Sequence, residues 1–208
     1  MSDTLFPFFN SKSDKVALVE GENVHTYSEV NDRINLFSSG ILGAKEDLNE
    51  ERIAFFLPAS LDYVTTMHGV WRAGGIAVPL NVASAVSELD HYLTCANVTR
   101  LIAGTQYHDS LKGLCNSLQI ELLSVSDVMA EEPRALPLIN PERRAMMLFT
   151  SGTTNKPKGV VSTHKTICAQ ITTLITAWEW SEKDVIPLFL PLHHIHGIIN
   201  ILSCCLLY

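Results

Sequence analysis

The chemistry of this chain is concentrated in ten residues, Thr150-Ser151-Gly152-Thr153-Thr154-Asn155-Lys156-Pro157-Lys158-Gly159, which follow the apolar run Ala145-Met146-Met147-Leu148-Phe149. Four hydroxyl residues, two glycines and two lysines share these positions. A strand that opens into a Gly/Ser/Thr loop with lysines at its far end suits a polyphosphate. Backbone N–H groups and hydroxyls donate to phosphate oxygens, and ammonium groups neutralise their charge. An isolated Ser-Gly-Thr would read as a polar surface turn, whereas the whole string after a strand reads as a phosphate loop. It is not a Walker A loop, because Lys158 precedes Gly159 and Val160 stands where that motif needs a metal-binding hydroxyl. No Gly-x-Gly-x-x-Gly follows an early strand, so a dinucleotide fold has no support.

A second cluster is Pro191-Leu192-His193-His194-Ile195-His196-Gly197. His194 and His196 fall on one side of an extended segment. A zinc site needs three or four ligands, and no partner is evident nearby, so no metal is assigned. A satisfied structural histidine is the bland reading of each.

The elements that must position these residues are legible as periodicities. Short apolar runs predict strands at Val16–Val19, Ile53–Leu57, Ile76–Val78, Leu101–Ala103, Glu121–Val125, Ala145–Phe149 and Ile186–Leu190. Pro187 makes the last of these an edge or a bend. Val30, Ile34, Phe37 and Ile41 line one helical face, opened by a Thr26-x-x-Glu29 capping box. Val64, Met67, His68 and Trp71 line a second face, begun by Ser60 and closed at Gly74-Gly75. Leu89, Leu93 and Ala96 line a third. Ile167, Ile171, Leu174 and Trp178 line a fourth helix that begins near Ser162 or Thr163. Trp71, Trp178 and Trp180 read as core. Alternating strands and helices predict an α/β fold with a largely parallel sheet. The connector Glu131-Glu132-Pro133-Arg134-Ala135-Leu136-Pro137 is the one shift in composition.

Composition sets outer bounds. At 208 residues, 47% apolar and 18% charged, the chain is globular rather than disordered. Its formal charge of −7 comes without a basic cluster, which argues against nucleic acid as a partner. Five cysteines without C-x-x-C spacing read as reduced thiols in an intracellular protein. Val185–Tyr208 is broken by prolines and histidines and predicts no membrane span. The first arginine is Arg33, so the opening residues resemble neither a secretory signal nor an arginine-rich transit peptide. The expectation is a cytoplasmic protein, with mitochondrial location as the alternative.

The ten-residue string resembles the phosphate-loop signature of the adenylate-forming superfamily, which holds acyl-CoA synthetases, luciferases and peptide-synthetase adenylation domains. Tyr27 to Leu42, Trp71-Arg72-Ala73-Gly74-Gly75-Ile76-Ala77-Val78-Pro79-Leu80 and Pro191 to Gly197 resemble further landmarks of the family, in the family's order. The resemblance runs from about Lys15 onward. Val161-Ser162-Thr163-His164, Trp178-Glu179-Trp180-Ser181-Glu182-Lys183-Asp184-Val185 and Leu190 to Gly197 look most like the malonyl-CoA synthetase branch.

That resemblance implies the first half of a large N-terminal domain, so that residues 1–208 would form a partial AMP-binding domain without the small C-terminal domain. It implies ATP, Mg2+, coenzyme A and a small carboxylic acid as the substrates of a complete enzyme. Thr150, Ser151, Thr153 and Thr154 would donate to the β- and γ-phosphates, Gly152 would admit close backbone approach, and Lys158 would neutralise charge. Lys156 is a solvated neighbour, and Asn155 stands where the family has glycine. His194 would sit at the adenylate and acyl pocket as the catalytic donor, and His196 beside it would pair a second carboxylate. The family's adenine-stacking segment, ribose aspartate, hinge and catalytic lysine have no counterpart here. The chain alone is therefore expected to lack ligase activity. The alternative is a non-catalytic truncation product that binds nucleotide weakly. Gly197 to Tyr208, polar only at Asn200 and Ser203, is expected to expose an apolar patch.

Overall fold

The computed structural model describes residues 14–150 and 156–207. Ser151 to Asn155 of the phosphate loop therefore lie outside the described residues. The chain opens with an antiparallel hairpin, β1 (Val16–Glu20) and β2 (Asn23–Thr26). The predicted strand at Val16–Val19 is present in it, and its partner β2 was not foreseen. Helix α1 (Tyr27–Leu42) follows with the expected capping box. The Thr26 hydroxyl accepts from the Glu29 N–H at 3.2 Å, and the Glu29 carboxylate accepts from the Thr26 N–H at 2.8 Å.

The main sheet has six strands: β3 (Arg52–Phe56), β4 (Ile76–Pro79), β5 (Arg100–Ala103), β6 (Glu121–Leu123), β7 (Arg144–Thr150) and β8 (Lys158–Thr163). Their spatial order is β6-β5-β3-β4-β7-β8, and every pairing is parallel except β7 with β8. The inner strands are apolar on both faces because helices cover both. Ile53 and Phe55 of β3 join the core beneath α1, α2 (Leu61–Arg72) and α6 (His164–Ala177). Ala54 and Phe56 join the opposite core beneath α3 (Val86–Ala96) and α4 (His108–Leu118), while the short α5 (Val125–Val128) packs into the first core. The result is the predicted α/β fold, a mainly parallel sheet between helical layers.

Helix α2 is the central brace. Ser60 caps it, accepting from the Tyr63 N–H at 3.2 Å. At its far end Gly74 takes φ +81°, and the Gly75 N–H returns to the Val70 carbonyl at 2.8 Å, closing the helix where Gly74-Gly75 predicted. A side chain at Gly74 would meet the Asp47 carboxylate at 2.2 Å, which is itself held by the Arg143 guanidinium at 2.6 and 2.9 Å. Arg72, without a nameable partner in sequence, donates to Asn31 at 2.9 Å and to Asn35, both on α1.

Three expectations are corrected. Ile186–Leu190 is irregular chain rather than a strand, and Pro187 supplies the reason, since it has no N–H for a ladder. Val185, just before this stretch, and Phe189 within it are 89% and 81% exposed. Gly197 to Leu207 does not project an apolar patch. A π-helical segment, His196–Ser203, runs into α7 (Cys204–Leu207), and Ile198, Ile199, Leu202, Cys204, Leu206 and Leu207 are buried in the core under α6. The Ser203 hydroxyl donates to the Ile198 carbonyl five residues back, at 2.8 Å, in step with the widened turn. Trp178 is 47% exposed, while Trp71 and Trp180 are buried as expected.

Trp71 stands between two buried histidines, with ring centroids 5.1 Å from His68 and 6.2 Å from His164. Burial, followed by nearby arginine charge, lowers their pKa values to about 3 and about 4. Both fold in neutral form, whereas unfolded histidine titrates near ~6.5. Their contribution is present above that value and is lost as pH falls from about 6.5 towards about 4. Urea midpoints measured at pH 7, 5.5 and 4.5 should fall in that order, and a pH-independent midpoint would contradict the buried neutral assignment.

Candidate active site

β7 delivers the candidate phosphate loop from inside the sheet. Ala145, Met146, Met147 and Leu148 are buried and anchor it, and Thr150 emerges exposed at its carboxyl end. The indole N–H of Trp71 donates to the Ala145 carbonyl at 2.7 Å, pinning β7 to α2. Only β8 then decides where the loop returns. Its register pairs Phe149 with Gly159 and Thr150 with Lys158. The loop is thus the connection of a hairpin, and the exposed Lys158 is fixed directly across from Thr150. The sequence reading missed β8 and treated these residues as loop and helix entry, although Thr163 does cap α6 as expected, accepting from the Thr166 N–H at 3.2 Å. Lys156 is exposed, as a solvated neighbour would be.

The histidine cluster is a tight turn. The His194 N–H reaches the Pro191 carbonyl at 3.4 Å, and the His194 carbonyl accepts from the Ile198 N–H at 3.1 Å. Gly197 is obligatory, because a Cβ there would lie 2.4 Å from the Pro191 oxygen. The buried Tyr63 hydroxyl donates to the Leu192 carbonyl at 2.7 Å, so α2 holds this turn by its first half and β7 by its last. His194 and His196 are exposed, and His193 is half-buried. The His193 and His194 rings lie 4.1 Å apart, and burial followed by His194 lowers the pKa of His193.

His196 belongs to a relay that sequence reasoning did not find. Gln170 of α6 donates its amide to the Asn200 oxygen at 2.6 Å, which turns the Asn200 amide nitrogen towards His196 Nδ1 at 3.1 Å. Nδ1 thereby accepts, and Nε2–H is left as the outward donor. Trp178 packs edge-on against the same ring at 6.4 Å. His196 and Asn200 are four residues apart, the spacing of one helical face, which is the signal that was available. Among the described residues, no group of three or more His, Cys, Asp or Glu side chains is arranged to hold a metal ion.

Thr150 and Lys158 are brought together by register, while His194 and His196 sit on a separate turn braced by the same helix. An apolar cavity of about 990 Å³ opens beside that turn, between β1, the start of α2 and the segment after Trp180. Leu192 and Leu202 line it, and neither Thr150 nor Lys158 does. Among the described residues no helix is long and apolar enough to cross a membrane.

A mainly parallel sheet that carries a Ser/Thr/Gly-rich connection at the carboxyl end of β7, with a histidine turn braced by the same helix, can be set against known proteins. The chain belongs to the AMP-binding enzyme family, whose profile matches residues 8–208. Within it, the chain is similar to malonate–CoA ligases. It is 35% identical over 202 residues to the mitochondrial malonate–CoA ligase ACSF3 of Mus musculus, covering 92% of this chain and 35% of that protein. To the Homo sapiens counterpart it is 35% identical over 221 residues, covering 98% of this chain and 38% of that protein. The chain thus spans little more than a third of the length of these relatives. The crystal structure of apo MatB from Rhodopseudomonas palustris matches with a TM-score of 0.87 at 22% identity, covering 100% of this chain and 44% of that one. At that identity the likeness establishes the shared fold.

Two substitutions test the brace. Tyr63→Phe leaves the Leu192 carbonyl without its buried donor and should cost about 1–3 kcal/mol in denaturant unfolding. Gly197→Ala should displace the histidine turn, seen as large shifts of the His193, His194 and His196 imidazole resonances. Wild-type stability and spectra in both variants would show that α2 does not set the turn.

Proposed function

We propose that this chain carries the triphosphate-binding and part of the acyl-binding machinery of an ATP-dependent acid–thiol ligase acting through an acyl-adenylate. The carrying observation is the β7–β8 register, which sets Lys158 opposite Thr150 at the two rims of a Ser/Thr/Gly loop. In this reading Thr150, Ser151, Thr153 and Thr154 donate to the β- and γ-phosphates, Gly152 admits the phosphate close to the backbone, and Lys158 neutralises charge. A substrate carboxylate attacks the α-phosphorus, the bond to the bridging oxygen breaks, and pyrophosphate leaves. The thiol of coenzyme A then attacks the acyl carbonyl and AMP departs. All reacting groups in the first step are anionic, so positioning and charge neutralisation are what the protein supplies. Magnesium would accompany the triphosphate and screen its oxygens, and no side chain is assigned to it.

His194, exposed on the braced turn, is proposed as the donor that steadies the attacking carboxylate. The Nε2–H of His196, aimed outward by Gln170 and Asn200, is proposed to bind a second carboxylate. Together with the malonate–CoA ligase relatives this favours a short dicarboxylic acid, malonate first. The proposed compartment is the cytosol, with the mitochondrion as the alternative that the names of the two mammalian ligases supply. For the chain by itself the proposal is triphosphate binding alone, in the millimolar range.

ATP titration of the chain by calorimetry should show that affinity, weakened roughly tenfold by Lys158→Ala, as loss of a charge-assisted hydrogen bond implies. Equal binding by both proteins would remove Lys158 from its role. With this segment grafted into a full-length family member, Lys158→Ala and Thr153→Ala should slow pyrophosphate exchange more than single-turnover thiolation. Equal slowing of both steps would contradict the assignment. In the same graft His196→Ala should erode the preference for malonate over acetate, and an unchanged preference would exclude His196 from the acid pocket.

A further inference from the structure

We infer that His91 is a positioning residue for the phosphate loop, fixing its exit so that Lys158 faces the triphosphate. The inference rests on the proposed phosphate-binding role of that loop and adds a residue from a separate element.

Helix α3 packs on the sheet through Leu89, Leu93 and Ala96, all buried. That seating turns His91, on the next face, towards the β7–β8 rim. Its imidazole Nε2 lies 2.9 Å from the Pro157 carbonyl oxygen. A carbonyl can only accept, so Nε2 carries the proton and donates. Pro157 stands immediately before the first paired residue of β8, and as proline it has no N–H with which to anchor itself. His91 therefore supplies a fixed point at the loop exit, one residue before Lys158.

The same helix also holds the opposite rim. Phe149, adjacent to Thr150, stacks on Tyr92 with centroids 4.6 Å apart and lies 6.4 Å from the His91 ring. Neighbouring residues of α3 thus grip both ends of the loop, Tyr92 the entry and His91 the exit. A cavity of about 440 Å³ between α3 and Lys156-Pro157 remains beside the hydrogen bond. Without His91 the exit has room to collapse into it, carrying Lys158 away from Thr150. His91 does not touch substrate in this scheme. It acts through the backbone that carries the lysine.

Inorganic tripolyphosphate, titrated calorimetrically into the chain, is the probe, with wild type, H91A, H91Q, K158A and the H91A/K158A double variant compared. The Gln side-chain amide can donate to the same carbonyl. The expected result is about fivefold weaker binding for H91A, equivalent to one ordinary hydrogen bond, and near-wild-type binding for H91Q. H91A should have little further effect in the K158A background, because the two residues act as a unit. Wild-type affinity in H91A overturns the inference while leaving the phosphate-loop reading intact. An H91Q loss equal to that of H91A, or full additivity with K158A, overturns it as well, since general destabilisation would give those results. Absence of tripolyphosphate binding by the wild-type chain overturns the phosphate-loop reading and the inference with it.

Discussion

The antiparallel pairing of β7 with β8 is the constraint on which the rest of the site depends. Parallel strands need a long crossover, usually a helix, to connect them, whereas antiparallel neighbours can be joined by a short turn. Reversing one strand at the edge of an otherwise parallel sheet lets a short polar loop leave and re-enter the sheet at the same level. Both rims are then set by a ladder of backbone hydrogen bonds rather than by the loop itself. Thr150 and Lys158 face each other because Phe149 faces Gly159 and Leu148 faces Val160. A one-residue slip would turn every side chain of β8 to the opposite face and move the lysine away.

The second constraint is the rigidity of α2. Its apolar surface is buried in the core, yet its two largest side chains carry polar tips, and each tip is spent on a distant backbone carbonyl. Trp71 holds Ala145 at the root of β7, and Tyr63 holds Leu192 at the root of the histidine turn. Buried indole and phenol groups need such partners, so packing and site geometry are fixed by the same atoms. Helix α3 performs the matching task from the other layer, where Tyr92 and His91 reach the rims of the loop. The six-stranded sheet thus works as a frame whose two helical layers each contribute holding contacts to one edge.

The inner strands and their helices were legible in the sequence because burial on both faces produces short apolar runs, and the amphipathic helices carry clear caps at Thr26, Ser60 and Thr163. Elements at the margins were not. β8 reads Lys158-Gly-Val-Val-Ser-Thr, an edge strand with Val160 and Val161 both partly exposed, so it lacks the alternation that marks a half-buried strand. Ile186–Leu190 errs the other way, since hydrophobicity suggests a strand or a bend and the segment is irregular, with Pro187 lacking the N–H that a ladder would use. Helix α4 was missed although Leu111, Leu114, Cys115 and Leu118 recur at helical spacing. The composition of the candidate site is local in the chain, with its hydroxyls and lysines in one stretch and its histidines in another. Its supports were not, because Tyr63 and Leu192 are 129 positions apart and His91 and Pro157 are 66 apart. Ser151 to Thr154, the donors that the sequence names most clearly, lie outside the described residues.

The central claim is that the two strand ends form the rim of a triphosphate site. Amide-resolved NMR of the chain during ATP titration tests it most directly, because it reports each rim separately. The account predicts that the largest chemical-shift changes fall within Thr150 to Lys158, both rims included, saturating with one common dissociation constant. Saturating shifts confined to the histidine turn or to the cavity beside β1, with both rims unmoved, would contradict it.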